Sequence, residues 1–133
     1  MNPLRLAPAA MLALAAAAIA TAAAASAPVR GEQIYGRCLA CHALAYDRVG
    51  PRHCGLIGRP AGSVPGFVYS PAMKRSGIVW TARSLDRFLA APMQAMPGTA
   101  MTYDGIADAA ERADLIAYLE QAGRSAECTA PPR

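Results

Sequence analysis

Two cysteines and a histidine stand close enough together in this sequence to act as one chemical unit. They are Cys38, Cys41 and His42, in a Cys-x-x-Cys-His run. The two thiols, one helical turn apart, can add to the two vinyl groups on one edge of a porphyrin, and the adjacent imidazole can then bind the iron. We therefore interpret the run as the attachment site of one covalently bound haem c.

Two other kinds of site also use a Cys-x-x-Cys pair. A zinc site needs a second Cys or His pair at similar spacing, and the remaining candidates, His53, Cys54 and Cys128, form no such pair. A thioredoxin-like dithiol follows a strand in a βαβ unit, whereas the residues before Cys38 have helical spacing. Both alternatives are weaker than haem attachment.

An apolar N-terminal stretch predicts export. Arg5 precedes an alanine-rich run over residues 9–25, which ends in three small residues before Ser26. This pattern is typical of a secretory signal peptide over residues 1–25, with an uncleaved anchor helix as the alternative. We expect a periplasmic protein with no stable membrane insertion after cleavage.

Cleavage would leave 108 of the 133 residues, enough for a single domain. We expect that domain over residues 26–123, followed by an irregular tail over residues 124–133. A domain of this size buries little of its own surface, so a haem would form much of its core. Cys54 and Cys128 are expected to pair in an oxidising compartment and to tie the tail to the domain, with two free thiols as the alternative.

Basic and acidic residues are unevenly distributed along the chain. Residues 30–87 contain nine basic and three acidic side chains, whereas residues 104–127 contain six acidic and two basic ones. We expect one side of the protein to be positive and the other negative. A nucleic-acid partner has little support, because no clustered basic patch is interleaved with aromatic residues.

Apolar spacing and capping residues predict helices and no strands. Helices are expected from Pro28 to the haem motif and over residues 72–76, 81–91 and 108–123. A segment rich in Pro and Gly, residues 50–66, and a second loop, residues 92–105, are expected to be irregular. The predicted fold class is all-α, with helices and long loops wrapped around the haem.

The second axial ligand of the iron separates an electron carrier from a ligand-binding haem protein. The candidates are Met73, Met93, Met96, Met101 and His53. Met101 follows a turn-forming Pro-Gly-Thr-Ala sequence that can hold a thioether rigidly over the iron. His53 is only eleven residues from His42, so we interpret it as a surface histidine, or one that supports His42 without binding the metal.

These motifs together resemble those of the class I c-type cytochromes, that is, mitochondrial-type cytochrome c and its soluble bacterial relatives. The resemblance extends over residues 31–122. Its matching runs are Cys-x-x-Cys-His at 38–42, Gly50-Pro51, Gly58-Arg59, Pro65-Gly66-Phe67, Tyr69-Ser70, Gly77, Trp80, residues 97–101 and residues 111–119. The resemblance implies the small class I cytochrome c fold and one-electron transfer rather than enzyme catalysis.

The resemblance also implies roles for individual residues. Met101 would be the second axial ligand, and the carbonyl of Pro51 would accept a hydrogen bond from the ring of His42. A haem propionate would be held by Arg59, Tyr69 and Trp80. On the first helix, Gly31 and Tyr35 would cross the last helix near Leu115 and Tyr118.

Three positions depart from the family pattern. Phe88 stands where many relatives have a tyrosine whose hydroxyl contacts the methionine side of the haem, Met73 replaces a polar residue, and His53 replaces a leucine. Residues 43–49 also lack the lysine cluster of the mitochondrial proteins. Partner recognition therefore does not follow from the resemblance.

The expected function is that of a soluble, exported, monomeric carrier of one electron. Its partners would be redox proteins such as a cytochrome reductase, an oxidase or a dehydrogenase. One alternative is a haem c subunit of a larger dehydrogenase or oxidase complex. Another is a ligand-binding or peroxidase protein, which would need an open or labile sixth position at the iron.

Overall fold

The structure, a computed structural model, describes residues 24–130. Its six helices are α1 (Ala27–Tyr35), α2 (Pro71–Arg75), α3 (Ala82–Ala90), α4 (Pro92–Ala95), α5 (Ala109–Ala122) and α6 (Ala126–Thr129). Within this range the only β pairing is an isolated bridge between Pro60 and Val79. The prediction of an all-α protein is therefore confirmed, whereas nearly all of the predicted signal peptide lies outside the described residues.

Side-chain caps fix where the two longer helices of the second half begin. The carboxylate of Asp108 accepts the backbone N–H groups of Ala110 and Glu111 at 2.7 and 2.9 Å, and α5 follows. Before α3, the hydroxyls of Thr81 and Ser84 each accept the other residue's backbone N–H, at 3.2 and 2.8 Å. Such caps satisfy donors that have no partner inside the helix.

Two short helices lie where we expected irregular chain. Pro92, whose ring presets a helical backbone angle, begins α4 inside the predicted loop over residues 92–105. In the predicted irregular tail, the N–H groups of Cys128 and Thr129 both donate to the carbonyl of Ser125 at 3.0 Å and form α6. The prediction is wrong at both places because single helical turns are too short to show apolar periodicity.

Helices α1 and α5 cross in direct contact at Gly31. A methyl group placed on this residue would lie 2.7 Å from the Cβ of Tyr118 and 2.7 Å from the carbonyl carbon of Asp114. Only glycine fits at such a separation. Next to it, the rings of Tyr35 and Tyr118 lie 5.1 Å apart. The predicted crossing of the first and last long helices is confirmed.

The apolar core lies among α1, α3 and α5. Its members include Ile34, Leu85, Leu89, Ile106 and Leu115, of which Leu115 and Ile106 are the most buried. Among residues 24–130, none of the helices combines the length and the apolar character needed to cross a membrane.

The basic and acidic parts of the sequence meet where α1 and α5 cross. Arg30 donates to both carboxylate oxygens of Asp114 at 2.6 and 2.8 Å, and Arg37 donates to both of Glu111 at 2.8 and 3.0 Å. These charges neutralise each other across the helix pair. The prediction of a positive and a negative side is therefore wrong for these four residues, because the fold brings distant parts of the chain together.

Replacing Asp114 with asparagine should make folding less sensitive to acid. The hydrogen bonds from Arg30 hold the pKa of Asp114 below its ordinary value of 3.8. A carboxyl with a lowered folded-state pKa contributes stability above its unfolded pKa and loses it as the pH falls through the folded value. In urea titrations, the wild type should therefore have a higher free energy of unfolding than Asp114→Asn at pH 6, and this difference should shrink towards pH 3.

A matched control for this prediction is Asp104→Asn, which removes an exposed carboxylate that has no ion pair within residues 24–130. Its free-energy difference from wild type should change less over the same pH range. A difference for Asp114→Asn that stays constant from pH 6 to pH 3 would contradict the stabilising role of the Arg30 pair.

Candidate functional site

A cavity of about 340 Å³ opens beside the core. Cys38, Cys41, His42 and Met101 all line it, so the structure brings the four residues predicted to hold the haem around one space. Most of the remaining lining is aliphatic or aromatic, from Leu56, Phe67, Trp80, Leu85, Phe88 and Leu115. An apolar cavity with a few converging polar groups is typical of a cofactor site.

The Cys-x-x-Cys-His run lies in turns that directly follow α1, at the end of the first helix as expected. The N–H of Cys38 donates to the carbonyl of Tyr35 at 2.8 Å, and the N–H groups of Cys41 and His42 donate to the carbonyl of Cys38 at 3.1 and 2.9 Å. Burial raises the pKa of the Cys38 thiol to about 11. A redox dithiol needs the opposite shift, towards the thiolate, so this environment does not favour the thioredoxin-like alternative.

One ring nitrogen of His42 is engaged by the backbone. Its Nδ1 lies 2.8 Å from the carbonyl oxygen of Pro51, to which it donates, and this bond leaves Nε2 available for a metal. A Cβ on Gly50 would lie only 2.6 Å from the same Nδ1, so the ring occupies space that only glycine leaves open. Burial lowers the pKa of His42 and favours the neutral imidazole that metals bind.

The structure separates the four candidate methionines. Met73 and Met101 line the cavity and are partly buried. Met96 is 6% exposed and packs in the apolar core, and Met93 is 44% exposed. Only Met73 and Met101 are therefore placed to reach a group bound in the cavity.

Hydrogen bonds hold the chain just before Met101. The N–H of Thr99 donates to the carbonyl of Met96 at 3.0 Å, and the N–H of Met101 donates to the hydroxyl of Thr99 at 3.2 Å. Gly98 has a φ of +87°, a conformation that favours glycine. The turn expected from the sequence is present and fixes the backbone from which the thioether of Met101 extends.

His53 lies directly against His42. The two ring centroids are 4.2 Å apart with an interplanar angle of 22°, and the hydroxyl of Tyr35 lies 3.0 Å from Nδ1 of His53. Burial, with a smaller effect from the positive charges of His42 and Arg59, lowers the pKa of His53 to about 3, so its ring is neutral. The structure therefore places His53 against His42 and partly buried, and not as an exposed surface histidine.

The three residues expected to hold a propionate, Arg59, Tyr69 and Trp80, all line the cavity. The guanidinium of Arg59 is half buried and donates to the carbonyls of Cys54 at 3.0 Å and Arg52 at 2.9 Å. Burial lowers its pKa, yet a guanidinium stays charged in proteins. A carboxylate entering the cavity would therefore meet a fixed positive charge.

Cys54 and Cys128 lie close together and are bonded as a disulfide in the structure, with their Cα atoms 5.1 Å apart. That separation is within the range that a disulfide requires. The link connects the segment after His42 to α6.

The donor set of the cavity fits a covalently bound haem. It contains two thiols three positions apart, an imidazole whose Nε2 is available for a metal, a thioether and a half-buried cation, in a largely apolar lining. Sequence reasoning missed the contact of Tyr35 with His53 and the close approach of Gly50 to His42. The position of Gly50 next to Pro51 was the only signal for its approach to His42, and the contact of Tyr35 with His53 had no signal in the sequence.

Comparison with known proteins agrees with this fit. The sequence model of the family Cytochrome c matches residues 28–123. Cytochrome c2 from Rhodomicrobium vannielii is 44% identical over 95 residues, which cover 69% of this chain and 76% of that protein. Cytochrome c type-1 from Ascaris suum is 45% identical over 97 residues, which cover 71% of this chain and 82% of that protein. The solved structure of cytochrome cH from Methylobacterium extorquens superposes with a TM-score of 0.69 at 38% identity, over 71% of this chain and 97% of that one.

Proposed function

Since the chain belongs to the cytochrome c family, and is thus an electron-transfer protein with one covalently attached haem c, we propose that it is an exported carrier whose iron is bound by His42 and Met101. When bound, the haem supplies a one-electron redox couple. Cys38 and Cys41 provide the two thioether attachments. Their position in one short turn, directly before His42, supports this assignment.

The observation that carries the ligand assignment is the shared cavity of His42 and Met101. His42 is oriented by Pro51, and a hydrogen bond of this kind fixes the tautomer and raises the basicity of the ligand nitrogen. Met101 offers a neutral thioether from a hydrogen-bonded turn. A Met/His pair raises the reduction potential of a haem, which suits a carrier that accepts electrons from respiratory proteins.

Other residues of the cavity keep the site apolar and hold the charged edge of the cofactor. Phe88, Leu85 and Leu115 are almost fully buried and exclude water. We assign Arg59, Tyr69 and Trp80 to a propionate, because a buried carboxylate needs charged or polar donors. Arg59 is already fixed by two backbone carbonyls, so it needs little reordering to bind a carboxylate.

Export to the periplasm is supported by the signal-peptide pattern over residues 1–25. The pairing of Cys54 with Cys128 is consistent with that compartment, where disulfides persist. We assign the mature protein a domain over residues 26–123 and a tail held to it by this disulfide.

The partners would be redox proteins that dock transiently on a monomer. They would be a cytochrome reductase, an oxidase or a dehydrogenase. Val49 and Val68 line the cavity and are 80% and 91% exposed. Apolar side chains therefore lie on the surface next to the cofactor site. A small contact of this kind suits weak and reversible electron-transfer complexes.

The test of this function is a visible spectrum of the protein expressed with c-type haem maturation, in both oxidation states and with carbon monoxide. We expect a low-spin spectrum with the near-red iron–sulfur charge-transfer band, unchanged by carbon monoxide, because a thioether closes the sixth position. A high-spin spectrum or ready binding of carbon monoxide would contradict the carrier assignment. It would favour the ligand-binding or peroxidase alternative instead.

A further inference from the structure

We propose that His53 is a positioning residue for His42, and that its stacked imidazole holds the plane of the His42 ring and adjusts the reduction potential of the site. The inference rests on the proposed role of His42 as an iron ligand. It concerns a residue that stands where the family commonly has leucine.

The hydrogen bond to Pro51 does not by itself fix the His42 ring. A carbonyl oxygen accepts hydrogen bonds over a broad range of directions, so the imidazole could rock about its bond to Cβ while Nδ1 keeps its 2.8 Å contact. The nearly parallel ring of His53, at 4.2 Å between centroids, covers one face of His42 and restricts that rocking. Gly50 approaches the same ring and leaves no room for a larger side chain.

His53 is itself held by the helix pair. The hydroxyl of Tyr35 lies 3.0 Å from its Nδ1, and Tyr35 is only 3% exposed. The ring of Tyr35 packs at 5.1 Å on that of Tyr118, which lies on α5. The α1–α5 pair is thus connected through two aromatic contacts and one hydrogen bond to the ring of His42.

The stack also has an electrostatic consequence. His42 carries more positive charge when the iron that it binds is ferric than when it is ferrous. The face of an aromatic ring stabilises an adjacent positive charge, and a leucine in place of His53 would not. Removal of the His53 ring should therefore favour the reduced state and raise the potential.

The test compares the loaded wild-type protein with His53→Leu, His53→Phe and Tyr35→Phe. The readouts are the midpoint potential and the haem methyl shifts of the ferric protein in NMR, which report the orientation of the axial imidazole. For His53→Leu we expect the reduction equilibrium constant to rise about threefold to tenfold, which for one electron raises the midpoint potential by roughly 30–60 mV. The methyl shifts should also change. His53→Phe, which keeps a stacked ring, should recover most of the wild-type values, and Tyr35→Phe should shift the potential less, in the same direction as His53→Leu.

Ile116→Val is the matched control, because Ile116 is buried in α5 and does not line the cavity. It should lower the melting temperature without changing the potential or the methyl shifts. A wild-type potential and wild-type methyl shifts in His53→Leu would overturn the proposal. So would a His53→Phe variant that behaves like His53→Leu.

The ligand assignment is tested separately by the wild-type spectrum, so failure of the proposed function and failure of the His53 role are distinguishable. Should His53→Leu fail to retain haem, His53→Phe and Tyr35→Phe decide the question, because each keeps an aromatic ring at its position. Two results together would then overturn the proposal. In Tyr35→Phe, the potential and the methyl shifts would equal those of the wild type, and in His53→Phe the methyl shifts would differ from those of the wild type.

Discussion

Replacing Met101 with alanine should open the sixth position of the iron. The thioether is then lost, and the turn before it is kept, because its hydrogen bonds use the backbone and Thr99. We expect the near-red charge-transfer band to disappear, carbon monoxide to bind the reduced protein, and the midpoint potential to fall. The fall should be a substantial part of the roughly 0.8 V range over which axial ligands set haem potentials.

Two other methionines provide controls for this prediction. Met93→Ala removes an exposed side chain and should leave the band and the potential unchanged. Met73→Ala removes the other thioether that lines the cavity, and it too should retain the band. A band retained in Met101→Ala and lost in Met73→Ala would show that the ligand is Met73.

Replacing Gly31 with alanine should strongly destabilise the fold. The added methyl group would lie 2.7 Å from the Cβ of Tyr118 and closer still to the carbonyl oxygen of Asp114, so α1 and α5 would have to move apart. Backbone atoms cannot yield as a flexible side chain does. We expect a loss of about 3 kcal/mol in the free energy of unfolding, at the upper end for overpacked cores, measured by urea denaturation of the haem-loaded protein.

Gly123→Ala is the control, since its new methyl group would meet the nearest atom, the carbonyl oxygen of Leu119, at an ordinary 3.4 Å. Its backbone is helical, with φ −60° and ψ −19°. The free energy of unfolding should stay within about 1 kcal/mol of wild type. Equal midpoints for Gly31→Ala and Gly123→Ala would mean that the crossing tolerates a wider separation than the structure shows.

Apart from the pairing of Cys54 with Cys128, the features that sequence alone predicted are local ones. Cys38, Cys41 and His42 are neighbours in the chain, so their chemistry could be inferred before any fold was known. Asp108 and Thr81 cap their helices through residues two or three positions away, and such caps have recognisable patterns. Met101 follows a turn whose residue types indicate its geometry.

The features that the sequence did not predict depend on distant contacts. Nothing near His53 indicates that Tyr35 would lie beside it, because the two meet only when α1 packs against the segment after the haem motif. In the same way, the pairing of Arg30 with Asp114 cancels charges that seemed segregated along the chain. Residue spacing gives no information about such pairs, and the resemblance implied only the helix crossing.

The contact between α1 and α5 also constrains the order of events during folding. Arg30 and Asp114 are 84 residues apart, so α1 gains its partner only when most of the described chain is available to fold. Closing so distant a contact is slow compared with forming a local turn. The two thiols follow α1 directly, so they are presented on an open chain before α1 and α5 pack together. Packing of the helix pair, which completes the domain, can therefore follow haem attachment at Cys38 and Cys41.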